Sequence, residues 1–169
     1  RTLENAVDEM FKLSKIEKSD VDKALAIASS VKDDYQRSML YRGINEYKEK
    51  IKNMTAEARA SLADFTAAEM ERLLNNSDNI DEDGETVLEF ATDVSKYYAD
   101  DRLLGLLEKA VALDKNIIKY FAFETLLENK RNVSDETVRS LAQDLKYALF
   151  TKRALDKCGK GDLFPKELD

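Results

Sequence analysis

The chain has 169 residues, with 27 Lys and Arg against 34 Asp and Glu, 43% hydrophobic residues, five Gly, one Pro, one Cys and neither His nor Trp. That balance excludes a disordered chain, which would be poorer in apolar residues, and its apolar runs are too short to span a bilayer. Without His there is no Ser-His or Cys-His pair, no zincin helix and no Glu-x-x-His di-iron motif, while Cys158 alone builds neither an internal disulfide nor a thiolate zinc site.

So few Gly and Pro, against a usual combined share of about 12%, argue for long helices rather than tight turns. Helical periodicity runs almost throughout. Leu3, Val7, Met10 and Phe11 line a first helix. Ser19 or Asp20 caps a second carrying Val21, Leu25, Ala28 and Val31. Asp33 or Asp34 caps a third with the stripe Met39, Leu40, Ile44, Tyr47 and Ile51, where Gly43 marks a close helix contact. Thr55 opens a short helix over 56–64, and Thr66 with Glu69 has capping-box spacing for another, to about Leu74. A loop over 75–84 precedes a helix from Glu85 to Tyr98. Asp100 or Asp101 caps a helix over 102–113, and Asp114 caps one over 116–129. Ser134 caps a long last helix with Val138, Leu141, Leu145 and Leu149 on its stripe, ended by Gly159 and Gly161. The expected fold is a single all-α domain over 1–169, built of antiparallel helix hairpins as a bundle or a short right-handed solenoid, with the acidic loop 75–85 between two halves.

The segment Ala24–Val31 overlays Val87–Val94, with Leu, Ala and Val matched, and the two lie about two helix-hairpin units apart. This pattern resembles the degenerate repeats of tetratricopeptide-like and HEAT-like arrays, which implies a stacked-hairpin fold. The Trp, Leu-Gly and Tyr signature of tetratricopeptide repeats is absent.

Asn79, Asp81, Asp83 and Gly84 have the spacing that opens a calcium loop, with Glu85 beside them, yet the twelfth position is Phe90 rather than Glu. Calcium or magnesium on Asn79, Asp81, Asp83 and Glu85 is therefore the alternative reading to a protein without cofactor. Charge is more informative. Between Arg72 and Lys96 stand Asp78, Asp81, Glu82, Asp83, Glu85, Glu89 and Asp93 with no base among them, which equals the net charge of −7. Such a patch attracts basic partners and repels nucleic acid and anionic membranes. The last helix is modestly basic through Arg139, Lys146, Lys152, Arg153, Lys157 and Lys160. Tyr residues favour interfaces, and Tyr41, Tyr97 and Tyr120 are candidates for a concave binding face.

The expected function is a non-enzymatic protein-protein interaction module with an acidic patch of Asp78, Asp81, Glu82, Asp83, Glu85 and Glu89. One alternative is an acidic inhibitor or immunity-type protein for a basic partner; the other is the metal-binding helical protein. Arg1 in place of Met, with no apolar signal segment after it, suggests a mature product or an excised domain and leaves the compartment open.

Overall fold

The computed structural model describes residues 2–169, of which 76% are helical when 3₁₀ turns are included, with no strand among them. The nine α-helices are α1 (Leu3–Phe11), α2 (Lys18–Ser30), α3 (Asp34–Glu46), α4 (Ala56–Asn75), α5 (Glu82–Val94), α6 (Asp101–Ala110), α7 (Asn116–Glu128), α8 (Asp135–Ala142) and α9 (Ala148–Lys157). The chain forms two compact units, Arg1–Leu103 and Leu104–Asp169. The division falls inside α6 rather than at the acidic segment 75–85, which lies within the first unit.

The first unit is two layers of helices. In one layer α1 packs on α3 and α3 on α5; in the other α2 packs on α4. The first layer runs parallel: Val7 meets Gly43, and the Phe11 ring stacks on Tyr47 at 5.1 Å. The turns between layers are joined too, since Ile16 and Met54 form an isolated parallel bridge through Ile16 N–H to Asn53 O at 2.9 Å and Thr55 N–H to Ile16 O at 3.0 Å. Successive hairpins α1/α2 and α3/α4 are thus the structural equivalents, as in a solenoid. The overlay of Ala24–Val31 on Val87–Val94 pairs α2 with α5, helices of opposite layers. That match reflects shared composition, an Ala between large apolar residues, and not equivalent positions.

Three local expectations also change. Thr66 and Glu69 do not start a helix; α4 is continuous over twenty residues, and both side chains serve the interior. The Asp114 cap is not used, because the N-cap of α7 is Lys115, which makes no side-chain cap bond. The expected long last helix is broken between α8 and α9. There the Asp144 carboxylate accepts the Lys146 amide at 2.9 Å and the Asn116 amide group at 2.8 Å, which fixes a turn. The break changes the helical register, so Leu145 and Leu149 leave the apolar stripe and face outward, 98% and 55% exposed.

The second unit packs Phe123, Leu127, Val138, Leu141, Tyr147, Leu155 and Phe164 into one core. Buried Lys119 donates to the Val111 carbonyl at 2.9 Å, capping the end of α6. Helices α7 and α9 both stop with a left-handed residue, Lys130 at φ 59° and Gly159 at φ 70°. In each case the next amide closes onto a carbonyl five residues back, Arg131 on Leu126 and Lys160 on Leu155.

Gly43 meets its expectation as a close contact. A Cβ there would stand 2.6 Å from Val7 Cγ1, and Val7 is a buried, stiff β-branched side chain. Gly43→Ala should lower stability by about 1 kcal/mol in urea unfolding, because overpacking outweighs the gain of about 1 kcal/mol in helix propensity. Adding Val7→Ala should cost less in the Gly43→Ala background than in the wild type, since the new methyl fills the space vacated.

Candidate functional site

In the first unit the start of α3 lies against the end of α4. Glu69 of α4 is buried at 8% exposure, and its carboxylate is fully engaged. Arg37 Nε donates to one oxygen at 3.0 Å, and the Tyr41 hydroxyl donates to the other at 2.9 Å. Arg72 reaches the same carboxylate at 3.2 Å and Asp34 at 3.4 Å. Arg37 also donates to Asp34 and, at 3.0 Å, to the Val31 carbonyl. The spacing explains the convergence. Asp34/Arg37 and Glu69/Arg72 are both i,i+3 pairs, and antiparallel packing of α3 and α4 sets one pair over the other. A neighbouring bond joins the Thr66 and Tyr98 hydroxyls at 2.9 Å.

This network floors an open groove of about 520 Å³, lined chiefly by Val31, Lys32, Asp34, Arg37, Phe65 and Arg72. Its arginines and carboxylates answer one another. Together they clamp α3 to α4.

The acidic patch lies at the same end of the unit. Asp33 caps α3 by accepting the Tyr35 amide at 3.0 Å, and Asp81 caps α5 by accepting the Gly84 amide at 2.8 Å. Because α3 and α5 are parallel neighbours, these two caps project together. The electrostatics record the convergence: the Asp83 carboxyl is raised from its ordinary value by desolvation, then by the charges of Asp81, Asp33, Glu82 and Asp34. Asp78, in the 3₁₀ turn Ser77–Asn79, is exposed, as are Asn79, Glu82 and Asp83, while Glu85 and Glu89 are half-buried along α5. Tyr35 is 50% exposed beside Asp33 and Asp34. Asp33 and Tyr35 were not among the residues expected to meet a partner. Their signal in the sequence is the acidic pair at a helix start, which reads there as capping alone.

The calcium-loop candidates stand at the start of α5. The segment is helical from Glu82, so Asp83 and Glu85 stand in the first turns of a helix, and Asp81 is engaged as its cap. Gly84 lies within the helix, not at the left-handed turn that a calcium loop requires; a Cβ there would meet Ile80 Cγ1 at 2.7 Å. Among the described residues no three His, Cys, Asp or Glu side chains are placed to hold one metal ion. The three candidate tyrosines have different surroundings. Tyr41 is fully buried, its hydroxyl held by Glu69. Tyr97 is half-buried beneath the Lys96 ammonium at 5.4 Å. Tyr120 belongs to the second unit, stacked on Tyr147 at 5.6 Å. No described helix is long and apolar enough to cross a membrane.

Comparison with known protein families, curated proteins and solved structures finds no match. The functional reading therefore rests on the residues themselves.

Removing one member of the buried cluster takes bonds from the others. Glu69→Ala should cost about 3 kcal/mol, because Arg37 and Tyr41 lose their shared acceptor while Arg37 keeps Asp34 and the Val31 carbonyl, and Tyr41→Phe about 1 kcal/mol, both measured by urea unfolding. Burial, reinforced at Tyr41 by Glu69, holds the Tyr41 and Tyr98 hydroxyls well above their ordinary value. Unfolding returns them to about 10, so above that pH the unfolded chain loses protons that the folded chain keeps, and stability falls as pH rises. In a circular-dichroism titration, that fall above about pH 10 should be shallower for Tyr98→Phe than for the wild type.

Proposed function

We propose that this chain is a protein-binding module without catalytic chemistry of its own, and that the acidic end of its first unit docks a basic partner. The supporting observation is the convergence of acids distant in sequence. Asp33 from the start of α3 joins Asp81, Glu82 and Asp83 from the start of α5, with half-exposed Tyr35 two residues after Asp33, while Asp34 lines a groove with Asn79, Ile80 and Asp81 and is answered there by Arg72. The first unit holds 15 Lys and Arg against 23 Asp and Glu, whereas the second holds 12 against 11. A net negative charge on one unit raises the encounter rate with a cation-rich surface. Inhibition of a basic enzyme would be one use of the same surface.

The test keeps the caps Asp33 and Asp81 and replaces Asp78→Asn, Glu82→Gln and Asp83→Asn. Against a panel of Lys- and Arg-rich peptides, association with the wild type should be at least about tenfold faster than with the variant at 0.01 M salt. The two should converge at 1 M, where the Debye length is about 3 Å. Unfolding free energy should differ by less than about 0.5 kcal/mol, as for surface changes generally. Equal association rates at low salt would leave the acidic end as solvated surface only.

A further inference from the structure

The second unit presents a surface of the opposite kind. Leu145, Leu149 and Phe150 are 98%, 55% and 50% exposed and cluster at the turn before α9 and in its first turn. The Phe150 ring lies 6.1 Å from Tyr120 and so extends the unit's aromatic cluster to the surface. Around these side chains stand Lys146, Arg153 and Lys157, all exposed. The nearby acids are Asp144, Asp156 and Glu124; Asp144 is already turned onto Asn116 and the Lys146 amide, and Glu124 accepts the Tyr120 hydroxyl at 3.3 Å. Large apolar side chains grouped in water within a basic rim mark an interaction surface that selects apolar contact inside negative charge.

A surface with those complementary properties exists on this same chain. The acidic end of the first unit offers exposed Asp78, Glu82 and Asp83 from the turn and first residues of α5 and exposed Tyr35 from the start of α3, with half-buried Ile80 in the groove that Arg72 also lines. We propose that the partner of the basic, apolar end of the second unit is a second copy of this chain, which it meets at the acidic end of the first unit. This rests on the acidic end being a docking surface, and it names that surface's basic partner. The two contacting patches are different, so each pair leaves one acidic end and one basic end unused, and the assembly grows as an open chain or closes as a ring. Three apolar anchors are fewer than a stable interface of about 20–30 residues a side provides. The association is therefore weak, concentration-dependent and salt-sensitive.

The test is complementation, read by sedimentation velocity on the full chain, with circular dichroism confirming that each variant is folded. One variant carries Glu82→Lys and Asp83→Lys; the other carries Leu145→Ser and Leu149→Ser. At about 0.01 M salt, where the Debye length is about 30 Å, the wild type should sediment faster as its concentration rises, and at 1 M it should be monomeric. Each variant alone should be monomeric at both salts. Their equimolar mixture should form a one-to-one dimer and nothing larger, because one intact acidic end and one intact basic end remain between them. A third variant, Lys146→Glu with Arg153→Glu, should be monomeric alone; mixed with the Glu82→Lys, Asp83→Lys chain it should grow beyond a dimer, because the two unaltered ends pair as in the wild type and the two reversed ends also match each other, and a mixture that stops at a dimer overturns the charge pairing. A wild type that stays monomeric at all concentrations overturns the inference, whether or not the acidic end binds basic peptides; that peptide result alone decides the functional reading. A wild type that assembles while the Glu82→Lys, Asp83→Lys variant assembles equally well also overturns it, and points instead to apolar ends meeting each other.

Discussion

The buried carboxylate of Glu69 is the constraint around which the first unit is arranged. A charge removed from water must be answered by close donors, or it costs several kcal/mol. The answers come from Arg37 and Tyr41, one turn apart on α3, and from Arg72, three residues on along α4. Those bonds fix the register of α3 against α4. Asp34 lies on the same clamp through Arg37 and Arg72, so the N-terminus of α3 is held beside the end of α4. The turn after α4 leads into α5, which must then start at the same end. The acidic surface is the consequence: two helices that begin together bring two acidic caps together.

Layering supplies the second constraint. With α1, α3 and α5 in one layer and α2 and α4 in the other, helices within a layer approach closely only where side chains are small. Gly43 against Val7 is that position. The bridge from Ile16 to Met54 does the same for the turns, giving backbone groups that would otherwise need water a partner in the neighbouring hairpin. Both contacts join the first hairpin to the second, so the unit is stabilised by packing between neighbouring hairpins.

Much of this was legible in the sequence, and the misses have physical causes. Helix content, the caps Asp33, Thr55 and Ser134, and the close contact at Gly43 follow from local chemistry, and local chemistry is what a sequence displays. Thr66 and Glu69 show the limit. Their spacing is that of a capping box, but tertiary burial recruited the hydroxyl to Tyr98 and the carboxylate to Arg37 and Tyr41. Leu145 shows another. Its place on an apolar stripe holds only while the helix is unbroken, and the break depends on Asp144 finding Asn116, a residue of another helix. Convergence of Asp33 with Asp83 was invisible for the same reason, since it needs the order of helices within a layer.

Both surfaces arise from departures of this kind, and they divide the work of association differently. The acidic end is rich in charge and poor in apolar area, so it acts over a Debye length and governs how often a partner arrives. The basic end of the second unit is the reverse, with exposed leucines and a phenylalanine that act only on contact and govern how long a partner stays. A partner matched to one end by charge alone would dissociate quickly. One matched by apolar area alone would arrive slowly against a chain carrying −7. A lasting complex on either end needs a surface that joins both properties. Leu145 and Phe150 ringed by Lys146 and Arg153 are such a surface, and the acidic end with Tyr35 at its edge is its counterpart in sign.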